Sequence, residues 1–251
     1  LEMQPGDRIA GWLPNIPETA IAMLATSSLG GVWSSCSPDF GIPGAVDRFG
    51  QIAPKVIFAC TSYQYAGKHI DTTAKVREVV AQVPSIKTIV WVSYDEVCPQ
   101  SSEPYKKKPH DAAEEHWEQW LISPTPPLNF VQLAFDHPLY ILYSSGTTGK
   151  PKCIVHGQGG TLLQHMKEHQ LHLDLRPSDT LFFFTTCGWM MWNWVMTALA
   201  TTARIVLYDG SPFHPKPSAL FDISRDENVT VFGVSAKFLN GTQKAGVVPI
   251  K

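Results

Sequence analysis

The sequence predicts an α/β fold of mostly parallel sheets flanked by helices. Three observations predict it. Short runs rich in β-branched and aromatic residues recur along the chain. Stretches of helical composition separate most of them, which calls for crossover connections between parallel strands. Glycine and proline stand at the joins, where a chain turns or a helix stops. Apolar residues make up 44% of the 251 positions and charged residues 17%, a globular mixture rather than a disordered one. Nothing repeats at a fixed period, which argues against a solenoid.

Residues 8–13 predict a strand, ended by Pro14 and Asn15. A helix over 18–29 follows, with Pro17 before it and Gly30 and Gly31 after it, each at the helix end that suits it. Residues 32–35 predict a second strand, 44–51 a helix and 56–59 a buried strand. A long amphipathic helix is expected over 65–83, closed by Pro84, and another strand over 86–92. Residues 95–128 change character. They carry Pro99, Pro104, Pro109, Pro124, Pro126 and Pro127, with Lys106, Lys107 and Lys108 in a run. This stretch reads as a surface connection with one short helix at 114–121, and the lysines as a solvated loop.

The α/β rhythm then resumes. Strands are expected at 139–143 and 153–155, a helix at 161–172, a strand at 180–186 and a helix at 189–200. A strand at 205–208, a helix at 219–225 and a buried strand at 229–234 follow, and 242–251 reads as a loop. The chain thus divides into a first α/β portion (1–94), a Pro-rich connection (95–128) and a second α/β portion (129–251).

A formal net charge of -2 excludes broad electrostatic attraction to nucleic acid as a main theme. Five cysteines, Cys36, Cys60, Cys98, Cys153 and Cys187, form no C-x-x-C pair. That pattern predicts reduced thiols rather than a disulfide framework or a zinc ribbon. No apolar run approaches the roughly 20 residues that span a bilayer. Residues 1–7 have neither the basic start nor the apolar centre of a signal peptide, so a cytosolic (cytoplasmic) setting is expected.

The most informative stretch is Tyr143, Ser144, Ser145, Gly146, Thr147, Thr148, Gly149, Lys150, Pro151 and Lys152, directly after an apolar strand. Two glycines let the backbone turn sharply and approach a ligand. Four hydroxyls and neighbouring N–H groups make a concave set of donors for an anion, and two lysines add charge. The Walker A pattern is excluded: it wants glycine where Ser144 stands and Ser or Thr where Pro151 stands.

This string resembles the phosphate-binding signature of the acyl-adenylate-forming superfamily of acyl-CoA synthetases, luciferases and peptide-synthetase adenylation domains. Two further blocks are similar to that family. One is residues 6–15, with Glu18 and Gly30, which the family uses structurally. The other runs from Asp179 to Gly188 and Trp189, then through Leu207, Tyr208, Asp209, Gly210, Ser211 and Pro212. The resemblance implies a partial N-terminal adenylation domain of the acyl-CoA synthetase/luciferase fold. It implies that Ser144, Ser145, Gly146, Thr147, Thr148, Gly149, Lys150 and Lys152 bind the phosphates of ATP, with Mg2+. A carboxylate would then attack the α-phosphate, and CoA would take the acyl group from the adenylate.

Residues 188–194 read Gly-Trp-Met-Met-Trp-Asn-Trp, where acetate-activating members read Gly-Trp-Val-Thr-Gly-His. Here the chain resembles the acetoacetyl-CoA synthetase branch, as it does at 153–156, 159–161 and 165–169. The resemblance puts Trp189, Met190, Met191 and Asn193 around the acyl group and the approach of CoA. Methionine adapts to a longer acid, and the Asn193 amide offers a donor to a keto oxygen. Tryptophan and methionine at helical spacing also fit a plain core helix; both hold if its first turn faces substrate. The activity implied is acetoacetate, ATP and CoA giving acetoacetyl-CoA, AMP and diphosphate, with small molecules as the only partners. An acetyl- or propionyl-CoA synthetase and a non-catalytic binding module remain open. The family's catalytic lysine and C-terminal lid domain are not found before Lys251, so no catalytic residue is assigned and the chain by itself is expected to be inactive.

Other signals are set aside. His165, Glu168 and His169 fit H-x-x-E-H but read as histidines on a partly exposed helix, with no metal site. Asn228, Val229 and Thr230 form a sequon that opens an apolar strand, where modification is not expected. Cys187 reads as an inert buried thiol.

Overall fold

The computed structural model describes residues 3–94, 112–121, 124–125, 127–144 and 149–248. β1 (Arg8–Trp12) sits inside the main sheet. Its side chains alternate, Ile9 into one core and Ala10 and Trp12 into the other, as the pleat requires. α1 (Pro17–Ser28) returns the chain to β2 (Val32–Cys36), parallel to β1. α2 (Ile42–Ile52) then carries it back across to β3 (Val56–Cys60) on the other edge of β1. The two helices cover opposite faces: Ala20, Ala22 and Met23 of α1 lie in one core, Ala45, Phe49 and Ile52 of α2 in the other. Strands covered on both faces are apolar throughout, and β3 is buried along its whole length.

A hairpin of β4 (Ser62–Tyr65) and β5 (Lys68–Asp71) precedes α3 (Thr73–Gln82) and β6 (Thr88–Val92). β7 (Ala113–His116) extends the sheet, and the turn of helix α4 (Trp117–Trp120) places Trp117 and Trp120 edge-on to Phe58. β8 (Pro138–Tyr143) returns to lie parallel beside β2, and β9 (Cys153–Gly157) pairs with it antiparallel. The sheet order is β7-β6-β3-β1-β2-β8-β9.

α5 (Gln158–Lys167) runs into a π-helix at Glu168–His172. A second parallel sheet follows, β11-β10-β12, from β10 (Thr180–Phe183), β11 (Arg204–Val206) and β12 (Val231–Gly233). α6 (Met190–Thr197) joins β10 to β11 and α7 (Ala219–Asp226) precedes β12. The Ser235 side chain caps α8 (Ala236–Lys244) by accepting from the Phe238 N–H at 3.2 Å. One apolar core joins the two sheets, with Ile9 and Phe58 of the first packed in the same cluster as Leu181, Trp192 and Val195.

Four expectations are corrected. The long helix over 65–83 is a hairpin followed by ten-residue α3. Ala66 and Gly67 take φ of 50° and 76°, the left-handed pair of a two-residue hairpin turn, which the apolar spacing further on obscures. The helix expected at 114–121 starts at Trp117, because 113–116 pair with β6 as a strand. β12 is half-buried rather than buried. The terminal loop begins later, since α8 reaches Lys244.

Candidate functional site

Three segments meet at the carboxyl ends of β1, β2 and β8. In an open α/β sheet this is where ligands bind, beside strands whose connections leave on opposite faces. The loop between β8 and β9 is closed at its base by Ser144. Its N–H donates to the Lys152 carbonyl at 3.0 Å, and its hydroxyl accepts from the Lys152 N–H at 2.9 Å. Gly149 has φ +151° and open space where a side chain would begin. Lys150 and Lys152 are exposed on either side of buried Pro151. Ser145, Gly146, Thr147 and Thr148 lie outside the described residues.

β2 ties this loop to the rest. Ser34, fully buried, donates its hydroxyl to the Ile141 carbonyl at 2.8 Å and shares a 2.9 Å bond with the Tyr143 phenol. Burial pushes that phenol far above the ordinary tyrosine range. The next residue, Ser35, donates to the Cys187 carbonyl at 2.6 Å and accepts from the Trp33 indole at 3.1 Å. The Cys187 thiol in turn reaches the carbonyls of Leu13 at 2.8 Å and Cys36 at 3.2 Å. Burial holds it protonated, so it is a poor nucleophile. A Cβ at Gly188 would come within 3.2 Å of the Phe40 ring and 3.3 Å of the Ser37 nitrogen, so glycine lets this turn press against the strand end.

Asn15, at the end of the block read as structural, reaches the third segment. It accepts from the Trp192 indole at 2.8 Å and donates to the Tyr208 carbonyl at 3.3 Å. Its own N–H and the Tyr94 phenol bond the Asp209 carboxyl, which burial nevertheless pushes up to about 6. Sequence reasoning missed Ser35, Asn15 and Asp209 as site-building residues. The available signal was polar side chains closing apolar strands.

The four residues assigned to the acyl group divide. Trp189 and Met190 are exposed, Met191 packs partly buried on the core, and Asn193 is fully buried. Both polar atoms of the Asn193 amide lack a partner among the described residues. Met190 lines a cavity of about 580 Å3 with His156, Thr161, Gln164, His165 and Glu168; Trp189, Met191 and Asn193 do not line it.

The helix carrying His165 and His169 is partly exposed, as expected, and both histidines lie on its buried side. Both turn toward α6. His165 Nδ1 lies 3.0 Å from the Thr197 hydroxyl, and His169 Nε2 lies 3.1 Å from that hydroxyl and from the Trp194 carbonyl. Glu168 accepts from the Trp194 indole at 2.9 Å. The packing of a later helix decides this face, and local spacing cannot show it. Burial lowers both imidazoles, His165 to about 4, so both are neutral near pH 7. Among the described residues no three His, Cys, Asp or Glu side chains gather to hold a metal, and no helix is long and apolar enough to cross a membrane.

The family described as AMP-binding enzyme matches residues 1–247. Acetoacetyl-coenzyme A synthetase of Rhizobium meliloti (strain 1021) is 49% identical over 247 residues, covering 98% of this chain and 37% of that protein. Acetoacetyl-CoA synthetase of Mus musculus is 45% identical, covering 99% and 37%. A malonamoyl-CoA synthetase of Penicillium aethiopicum is 40% identical, covering 99% and 36%. Among solved structures, acetoacetyl-CoA synthetase from Streptomyces lividans superposes with TM-score 0.89 at 42% identity, covering 99% of this chain and 36% of that one. The chain therefore spans little more than a third of the length of these relatives.

Proposed function

The chain belongs to the AMP-binding enzyme family, and from that premise we propose that the protein carrying it is an ATP-dependent, AMP-forming acid–thiol ligase acting on acetoacetate. One observation carries this reading. A loop with two exposed lysines stands at the carboxyl end of β8, and β2 binds both that strand and the turn at Cys187 and Gly188.

A carboxylate acylates poorly because its leaving group would be oxide. Here its oxygen attacks the α-phosphorus of ATP, and the bond to the pyrophosphate oxygen breaks. The CoA thiolate then attacks the acyl carbon, the bond to the AMP oxygen breaks, and AMP leaves with the electron pair. Both steps build charge on phosphate oxygens. The Lys150 and Lys152 ammonium groups and the loop's hydroxyl and N–H donors are suited to hold it. Mg2+ supplies charge neutralisation on the triphosphate. As a hard cation that keeps water and phosphate ligands, it would need no protein cage.

The acid is the finer question. Asn193 stands one helical turn beyond Met190 and is buried, whereas Met190 lines the cavity. A buried amide with unmet bonding capacity suits the 3-oxo oxygen of acetoacetate. The fungal relative's name supports a second reading. Malonamate has the same heavy-atom skeleton as acetoacetate, with a primary amide in place of the methyl ketone. The substrates are small molecules, with no nucleic-acid, membrane or protein partner invoked, and the setting is cytosolic. ATP–pyrophosphate exchange by the full-length protein tests the whole reading, with acetoacetate, malonamate, acetate and propionate offered in turn. Exchange strongest with acetoacetate supports it, exchange strongest with malonamate moves it to the second acid, and none with any acid contradicts the ligase.

A further inference from the structure

α2 presents three polar side chains to the loop between β8 and β9, and none belongs to the loop's own signature. Asp47 Oδ1 lies 3.4 Å from Lys150 Nζ. One turn on, Gln51 Nε2 donates to the Pro151 carbonyl at 2.8 Å and to the Asp47 backbone carbonyl at 2.5 Å. Arg48 stacks between Phe40, 4.5 Å from its ring centre, and Tyr143, at 5.5 Å. The residue that enters the loop and the residues that leave it are thus both held by one helix.

We propose that α2 is the platform of the phosphate loop, with Gln51 a positioning residue for its exit and Asp47 a counter-ion that holds Lys150 until phosphate displaces it. This rests on the phosphate-binding reading above. Pro151 is buried and has no N–H, and its carbonyl needs a donor; Gln51 supplies one and fixes the backbone between the two lysines. The Lys150–Asp47 pair is 77% and 36% exposed, so water screens it and it is weak. A triphosphate, with more charge and better acceptors, takes the lysine over.

The test uses the full-length enzyme, reading the ATP KM in pyrophosphate exchange and the CoA KM in thioester formation from preformed acyl-adenylate. Gln51→Leu is expected to raise the ATP KM about three- to tenfold, the range of one hydrogen bond, and to leave the CoA KM unchanged. Asp47→Asn is expected to lower the ATP KM about two- to threefold, an effect that vanishes when Lys150→Ala is also present. An unchanged ATP KM in Gln51→Leu, or equal rises for ATP and CoA, overturns the platform. An Asp47→Asn effect that survives the loss of Lys150 overturns the counter-ion. Lys150→Ala alone separates the layers. If it leaves the ATP KM unchanged, the phosphate reading itself fails; if it raises that KM while Gln51→Leu is silent, only the platform fails.

Discussion

The buried hydroxyl of Ser35 donates a 2.6 Å hydrogen bond to the backbone carbonyl of Cys187, 152 residues further along the chain. Its neighbour Ser34 bonds Tyr143, at the mouth of the lysine-bearing loop. Successive residues of one strand thereby hold two distant segments on the same end of the sheet.

Ser35→Ala removes the donor to Cys187 and the acceptor of the Trp33 indole, leaving both buried groups unpaired. The expected cost is about 1–3 kcal/mol per orphaned group, read as a lower midpoint in thermal unfolding. In the full-length protein the pyrophosphate-exchange rate falls with it. An unchanged midpoint would show that this bond does not hold the turn.

Asp209 makes stability depend on pH. Its folded pKa, about 6, lies above its ordinary 3.8, so the folded chain binds that proton more tightly than the unfolded chain does. The ionised form therefore costs stability: nothing below about pH 4, progressively more above it, and in full above about pH 6. With solvent screening the cost is on the order of 1 kcal/mol. Asp209→Asn keeps an acceptor for Tyr94 and the Asn15 N–H. Its midpoint should gain on the parent's between pH 4 and 7. A difference independent of pH would contradict the assignment.

Asn193→Leu replaces a buried amide that has no partner among the described residues with an apolar side chain of similar size. Thermal stability should rise, by about 1–3 kcal/mol, while the preference for acetoacetate over acetate falls. A stabilised variant that keeps its preference would make the amide a flaw in the core rather than a reader of the acid.

The parallel order of the first strands was legible because their β-branched runs are bounded by Pro17, Gly30 and Gly31, and because helical composition lies between them. The hairpin at Ala66 and Gly67 was not, since only glycine announces its turn and alanine rarely takes a left-handed conformation. The loop and the Gly188–Trp189 turn were legible as strings of residues. Their meeting place was not. Ser34 and Ser35 look like polar interruptions in an apolar strand until sheet order puts β8 beside β2. Which side of their partly exposed helix His165 and His169 take was not legible either, because the partner that buries them, α6, follows some twenty residues later.

Amide hydrogen exchange of the full-length protein, with and without Mg2+ and ATP, tests the central claim most directly. The account predicts that nucleotide protects peptides covering residues 143–152, with weaker protection over 186–190. Protection elsewhere, with residues 143–152 exchanging at the same rate in both states, would contradict it.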